Sequence, residues 1–84
     1  MPTILQLSGW RFFFYSDEGH EPVHVRCRKA DLEAKYWLHP EKFEISEARS
    51  RGMSPADKRL VRKIIFEHFD YFVAEWDSFK EQKK

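Results

Sequence analysis

Cysteine is scarce in this sequence, and that scarcity excludes one class of small protein. The 84 residues contain a single cysteine, Cys27. One cysteine cannot form a disulfide within the chain, so the protein is not a disulfide-held scaffold of the secreted type. Cys27 follows Val23 and Val25 at two-residue spacing, which is typical of a small buried hydrophobe. We therefore expect a reducing compartment.

Long apolar runs and a strong excess of one charge are also missing. No apolar run approaches the roughly 18 residues of a membrane span, and residues 1–10 have no basic stretch followed by an apolar one. We therefore expect a soluble cytoplasmic protein without a membrane partner. The formal net charge is only +1, far from the basic character that non-specific duplex binding requires. Any nucleic-acid site must come from local clustering of basic residues.

Glycine and proline are few, and Gly9, Gly19 and Pro40 mark turns in a strand-rich first half. Ser8-Gly9 is a pair typical of a tight hairpin turn, and Ala30-Asp31 joins two further alternating runs into a second hairpin that Pro40 ends. The aromatic second run predicts a strand covered on both faces. The expected strands are residues 3–7, 10–16, 23–29 and 33–38, with a weaker fifth at 42–46.

The second half has a helical pattern. Ser54 as N-cap, Pro55 at the first helical position and Asp57 in the first turn predict the helix start. The apolar stripes before and after Glu67 point about 70° apart, so we expect a break between Glu67 and Asp70, with Asp70 able to cap the second segment.

These elements predict a single α+β domain over residues 1–84. An antiparallel sheet of four to five strands, built from two hairpins, takes up about residues 3–47. Two C-terminal helices, or one kinked helix, take up about residues 54–82 and pack on the sheet.

The segment "EPVHVRCRK" alternates strictly, with His24, Arg26 and Arg28 opposite in parity to the apolar set. If Ala30-Asp31 is a two-residue turn, three polar-face pairs follow, which are Arg28 with Glu33, Arg26 with Lys35, and His24 with Trp37. On the apolar face the same register pairs Cys27 with Ala34, Val25 with Tyr36 and Val23 with Leu38.

The pairing of Arg26 with Lys35 sets like charges side by side, which costs stability. Two interpretations stay open. In the first, the charges have a purely structural setting, in which both side chains point into water or a carboxylate such as Glu44 or Glu47 reaches across. In the second, the face is an anion pocket.

If the face is an anion pocket, Arg26, Arg28 and Lys35 contact phosphate and Trp37 stacks on a base. Histidine is a common general base, so His24 and Arg26 are the candidate catalytic residues for RNA cleavage, as proton acceptor and electrostatic clamp. Any basic strand that carries a histidine shares this pattern.

Metal and thiol chemistry are weaker candidates. His20 and His24 are four apart, with Glu18, Glu21 and His39 nearby, but on a strand that spacing separates the two histidines by about 13 Å. Cys27 has apolar parity and no histidine on its face, so it is not an expected nucleophile. The sequence predicts neither a metal site nor a cofactor.

The first helix carries a second basic cluster. Arg59, Arg62 and Lys63 surround Phe66, a pattern that suits single-stranded nucleic acid or an acidic protein partner. Packing of Phe66 on the second helical segment is the alternative.

Several motifs resemble a family of small bacterial proteins, the domain of unknown function forty-one sixty. They are Arg-Phe-Phe-Phe-Tyr-Ser, Glu-Gly-x-Glu-Pro-x-His-Val, Glu-Ala-Lys-x-Trp-Leu and Arg-Gly-x-Ser, with the later Trp76. The resemblance implies a toxin-like member of a two-gene module, neutralised by a small cognate antitoxin-like protein. Relatives commonly have His-Val-His-Val, so His24 matches while Arg26 replaces the second histidine.

The leading hypothesis is therefore a toxin-like protein that acts on RNA or the translation machinery through His24, Arg26, Arg28, Lys35 and Trp37. The alternative is a non-enzymatic regulatory module that binds protein or nucleic acid.

Overall fold

The computed structural model describes residues 3–15 and 21–82. Five strands precede two helices, as the α+β prediction requires. The strands are β1 (Thr3–Leu7), β2 (Trp10–Phe13), β3 (His24–Lys29), β4 (Leu32–His39) and β5 (Glu44–Arg51). The helices are α1 (Pro55–Glu67) and α2 (Phe69–Gln82). Neither of these helices has an apolar stretch long enough to cross a bilayer.

The sheet is an antiparallel meander in which each strand pairs with its neighbours in sequence, in the order β1-β2-β3-β4-β5. The β1–β2 turn is Ser8-Gly9, whose φ angles of 55° and 82° are both positive, as a two-residue hairpin turn of this hand requires. A Cβ at Gly9 would also lie 3.1 Å from Cε of Lys29. Glycine therefore suits this position on two grounds.

The predicted register of the second hairpin is confirmed. Arg26 pairs with Lys35, His24 with Trp37, and Arg28 with Glu33. Ala30 adopts a φ of 53° in the turn, which alanine tolerates poorly, yet the two-residue connection is retained.

The fifth strand is longer than the sequence indicated. β5 begins at Glu44 and runs to Arg51, past the expected strand limit near residue 47. Its pairing with β4 shifts register between Tyr36 and Lys35, where one extra residue, Ala48, is accommodated.

One face of the sheet, here called the inner face, packs against both helices. It carries Phe12, Val25, Cys27 and Tyr36, which are at most 1% exposed. The helical residues in the same apolar cluster are Val61, Ile64, Ile65, Phe69, Phe72 and Trp76. Ring contacts such as Phe12 with Phe72 (5.4 Å between centroids) and Phe14 with Trp76 (5.0 Å) hold α2 on the sheet.

The aromatic second strand is covered on both faces, as predicted. Phe13 is 2% exposed although it lies opposite in parity to Phe12. Its ring contacts Tyr15 at 5.4 Å, and the Arg11 guanidinium lies 5.6 Å from its centroid. Polar side chains thus shelter an aromatic ring on the side away from the helices.

The helical segment breaks at His68, within the interval predicted from the apolar stripes. The His68 N–H donates to the carbonyls of Ile64 and Ile65, and its own carbonyl accepts from the Phe72 N–H at 3.0 Å. Asp70 lies inside the first turn of α2, so the expectation that it caps the helix is wrong. The negative charge of Asp70 still interacts favourably with the positive N-terminal end of the helix dipole.

Ser54 begins α1 with a reciprocal capping box. Its Oγ accepts from the Asp57 N–H at 3.1 Å, and the Asp57 carboxylate accepts from the Ser54 N–H at 3.1 Å. We expect Ser54→Ala to lower the free energy of unfolding by about 1 kcal/mol, because the Asp57 N–H loses its acceptor, the Ser54 hydroxyl. Urea unfolding measures this loss, and Ser54→Gly, which should cost only a few tenths, is the control. Equal losses in both variants would contradict the cap assignment.

Candidate functional site

The opposite face of the sheet, here called the outer face, carries a row of cations across three strands. Arg26 on β3 pairs with Lys35 on β4, and Lys35 pairs with Arg49 on β5. Residues opposite one another on neighbouring strands project to the same face and lie about 5 Å apart. This central row of Arg26, Lys35 and Arg49 therefore extends the like-charge pair that the sequence predicted by one further strand.

A second row lies beside the central row. Arg11 on β2 pairs with Arg28 on β3, which sets two more cations side by side. Further along this row Glu33 pairs with Arg51, and the Glu33 carboxylate contacts the Arg51 guanidinium at 2.7 Å. The expected ion pair between Arg28 and Glu33 is therefore replaced by one across the β4–β5 boundary. The Arg28 Nε–H instead donates to the Ala30 carbonyl at 3.4 Å.

Aromatic rings lie directly beside these cations. The Arg26 guanidinium is 4.5 Å from the centroid of Tyr15, and the Lys35 ammonium is 4.4 Å from that of Trp37. Cation–π contacts of this kind hold the long side chains against the sheet and limit their rotamer freedom. Arg26 and Lys35 are consequently pre-positioned.

Glu21 places a carboxylate beside Lys35. Its Oε1 accepts from the Lys35 ammonium at 2.8 Å, and Lys35 is only 8% exposed. Of the two carboxylates suggested from the sequence, Glu47 instead contacts Lys58 on α1 at 3.3 Å. Part of the positive charge of the central row is thus balanced within the chain. The contact with Glu21 also fixes the position of Lys35, the middle residue of the row.

A cleft of about 340 Å³ opens on the outer face. Tyr15 and Arg26 line one side, and Arg49 and Arg51 line the other, with Phe13 also in the lining. Both Arg49 and Arg51 are exposed. Arginine side chains on both sides suit a ligand that carries phosphate or carboxylate groups.

A larger hollow of about 670 Å³ lies between the β1–β2 and β3–β4 turns. Among the predicted site residues only Arg28 lines it. The Lys29 ammonium, 5.9 Å from the Trp10 centroid, lies at this end of the sheet.

His24 is fully buried. Its ring lies between Trp37 (5.5 Å between centroids) and Trp76 (4.7 Å), and its Nδ1 is 3.1 Å from the Pro22 carbonyl. The Glu21 carboxylate is 3.8 Å from the same nitrogen. A group with no exposed surface cannot reach a solvent-borne 2′-hydroxyl in this conformation, so the geometry places His24 in a packing role. Its catalytic role stays a prediction.

The basic residues of α1 lie elsewhere. Arg59, Arg62 and Lys63 are exposed on the helix whose Val61, Ile64 and Ile65 pack on the inner face. The helices therefore separate them from the central row, and the predicted anion-binding set divides into two surfaces. The expected packing of Phe66 on the second helix is confirmed in part, because its ring stacks on Phe69 of α2 with 6.4 Å between centroids.

The sequence reasoning missed Arg49, Arg51 and Arg11 as members of the outer face. Arg49 and Arg51 lie in a segment expected to be a loop, where the extra residue Ala48 hides the two-residue period. Arg11 lies between Trp10 and Phe12, and this alternation could have placed it on the outer face.

Thiol and metal chemistry gain no support in the part of the chain that the structure describes. Burial raises the pKa of the Cys27 thiol to about 12, which disfavours a reactive thiolate. Residues 3–15 and 21–82 contain no group of three side chains placed to hold a metal ion. His39 instead contacts the Ser46 hydroxyl at 3.0 Å. His20 and Glu18, named as weak metal candidates, lie outside the described residues.

Comparison with known proteins gives a match to one family. A family described as a domain of unknown function, DUF4160, matches residues 9–77. That range includes β2 to β5, α1 and most of α2. No curated protein and no solved structure matches the chain.

Proposed function

The chain belongs to the DUF4160 family, and we propose that its outer face binds single-stranded RNA. The observation that carries the proposal is the central row, in which Arg26, Lys35 and Arg49 lie in register on adjacent strands. Cationic groups held in one row offer a polyanion several charge-assisted hydrogen bonds at once. Arg11, Arg28 and Arg51 extend the cationic surface on the neighbouring row.

A single strand fits this surface better than a duplex does. Tyr15 and Trp37 lie beside the cations, and unstacked bases gain energy by stacking on such rings. A net charge of +1 is small for a protein that binds duplex DNA non-specifically. The ligand chemistry is therefore a flexible chain of phosphates with exposed bases.

The proposal assigns no cleavage step. Cleavage of RNA needs a proton acceptor within reach of the 2′-hydroxyl, and the buried His24 does not offer one to solvent. Binding alone can block an RNA or a ribosomal site. We accordingly propose, on the resemblance stated above, that a toxin-like effect arises by occupancy and that a small cognate protein relieves it.

Fluorescence anisotropy with a labelled single-stranded RNA of about 12 nucleotides tests the binding. We expect saturable binding whose log affinity falls with log salt with a slope of about −2 to −3, because three to four phosphates exchange their counterions for cations of the chain. A duplex of the same length should bind more weakly, since its bases are not free to stack. Equal affinity for both, or a slope near zero, would exclude this surface as a site for single strands.

Growth of a bacterial host tests the cellular part of the proposal. Induction of the chain should slow growth, and the Arg26→Ala variant at equal soluble expression should relieve the effect. Unimpaired growth with the unaltered chain would favour the alternative, a regulatory module that binds without toxicity. The observation that favours this alternative is the exposed aromatic residue Phe43, which is 54% exposed.

A further inference from the structure

The β4–β5 turn carries a bulky aromatic residue in a backbone conformation that suits glycine. Phe43 has a φ of 53° and is 54% exposed, the largest value among the exposed large hydrophobics of the described chain. A positive φ is a genuine outlier for a bulky residue and costs free energy. Glycine or asparagine would form the same turn without that cost.

The Phe43 ring contacts the helices only in part. Its centroid is 4.8 Å from that of Phe69 and 5.5 Å from that of Phe66. These contacts attach the turn to the α1–α2 junction, but they leave about half of the Phe43 side chain in water. Phe66 is itself only partly buried. Two neighbouring rings therefore form an apolar knob on the surface.

Cations lie along α1 next to this knob. Arg62 and Lys63 precede Phe66 by about one helical turn and Arg59 precedes it by two, so all three share its side of α1. The pair Arg59 and Lys63 is four residues apart, a spacing at which like charges destabilise a helix. Glu67 adds a carboxylate at the C-terminal end. We call Phe43, Phe66, Arg59, Arg62 and Lys63 the α1 surface.

We propose that the α1 surface docks an acidic segment of a partner protein, with an apolar side chain of that segment packed on Phe43 and Phe66. Carboxylates over Arg59, Arg62 and Lys63 would relieve the repulsion along α1, and burial of the Phe43 ring would offset the cost of its backbone conformation. The occupant is an amphipathic segment with apolar residues on one side and Asp or Glu on the other.

The surface differs from the outer face in a way that favours protein over RNA. On the outer face each of the rings Phe13, Tyr15 and Trp37 has a cation over it. Among the described residues no cation lies over the Phe43 or Phe66 ring. An apolar ring without such a neighbour suits an aliphatic or aromatic anchor of a partner.

Two synthetic peptides of about 16 residues test the proposal. The first is helical, with leucines at i, i+3 and i+7 and glutamates on the flanks, and the second has lysines in place of the glutamates. Titration into the ¹⁵N-labelled chain should shift the amide signals of Phe43, Phe66 and Arg62 with the acidic peptide only. Shifts confined to β3 and β5, or equal binding of the basic peptide, would overturn the assignment.

Variants of the full chain add a quantitative arm. Phe43→Gly removes the ring and relieves the backbone, so the variant stays folded, and we expect about tenfold weaker binding of the acidic peptide. Arg62→Ala should weaken it several-fold, while Lys29→Ala, which removes the same charge at the far end of the sheet, should leave it unchanged. Unchanged affinity in both Phe43→Gly and Arg62→Ala would overturn the proposal.

The same experiments distinguish the other occupants. Phe43→Gly should keep the RNA affinity of the outer face, so loss of RNA binding in this variant would assign the α1 surface to RNA and overturn the protein proposal. If light scattering shows a dimer that becomes a monomer in Phe43→Gly, a second copy of the chain covers the knob and the protein proposal is overturned. A monomer that binds the acidic peptide is the expected result.

Discussion

The double variant Arg26→Ala/Arg49→Ala is expected to bind single-stranded RNA about 100-fold more weakly than the unaltered chain. Hydrogen bonds between charged groups contribute about 1.5 to 3 kcal/mol each, and every 1.4 kcal/mol is a factor of ten in affinity. Removal of one such hydrogen bond to phosphate at each end of the central row gives the stated factor. Lys35 between them contacts Glu21 and is already partly neutralised.

The salt dependence gives a second, independent measurement on the same variant. Each phosphate that the variant no longer binds removes about 0.7 from the slope of log affinity against log salt for a single strand, so the double variant should have a slope smaller by about 1.4. Weaker binding with an unchanged slope would point to a folding defect rather than to fewer bound phosphates. Anisotropy measured at several salt concentrations separates the two.

A charge-matched control makes the result specific to the outer face. Lys29→Ala/Lys42→Ala removes two positive charges from exposed positions outside the central row and its neighbouring row. We expect less than a twofold change in affinity, because screening at physiological salt weakens distant charges. If Arg59→Ala/Arg62→Ala weakened binding instead, RNA would bind the α1 surface and the proposed function would fail.

Alkaline pH is expected to destabilise the fold strongly. Burial raises the pKa of the Cys27 thiol from 9.0 to about 12, and burial with the nearby Glu47 charge raises the pKa of the Tyr36 hydroxyl from 10.0 to about 12. Above pH 9 the unfolded chain releases these protons while the folded chain keeps them. Since the folded state then binds more protons, the free energy of unfolding falls as pH rises.

The loss is large for a domain of this size. One pKa unit corresponds to about 1.4 kcal/mol. Between pH 8.5 and pH 11, Cys27 and Tyr36 together should therefore lower the free energy of unfolding by about 4 kcal/mol. The total free energy of unfolding of an 84-residue domain is roughly 4 to 13 kcal/mol. Urea unfolding monitored by tryptophan fluorescence at pH 8.5, 10 and 11 measures the loss. A flat profile would show that neither group is kept protonated by the fold.

Single substitutions divide the effect between the two groups. Tyr36→Phe should remove the part of the pH dependence that arises from Tyr36 above pH 10. Near neutral pH it should change the free energy of unfolding little. Its hydroxyl has no hydrogen-bond partner among the described residues, so the phenyl ring fills the same space without a buried polar atom. Cys27→Ala should flatten the profile above pH 9, and its smaller side chain should lower the stability at every pH. The two reductions should not add fully in the double variant, because the Cys27 charge is itself one of the causes that raise the pKa of Tyr36.

The β3–β4 register could be predicted because two independent signals agree. The segments 23–29 and 33–38 each alternate with a period of two, and the two-residue turn between them fixes which residues face each other. The break at His68 was predictable for a similar reason. Apolar stripes that point in different directions cannot both face one core along a straight helix.

The rest depended on contacts that sequence spacing does not reveal. β5 extends to Arg51 because pairing with β4 stabilises polar residues that have little intrinsic strand preference, and the extra residue Ala48 breaks their period. Hence Arg49 was missed as the third member of the central row. Glu21 was not predicted to contact Lys35, because it lies before β3 and the approach of its carboxylate depends on how the chain enters the sheet.

The meander order of the sheet has a consequence for folding on the ribosome. Every strand pairs with the one synthesised just before it, so each hairpin closes a short loop and needs little entropy of closure. The whole sheet can pair once residue 51 has emerged, whereas the inner face waits for α1 and α2. Its aromatic residues then stay exposed until α2 brings Phe72 and Trp76 against Phe12 and Phe14. The nascent chain therefore has an aggregation-prone interval whose length is set by translation of the two helices.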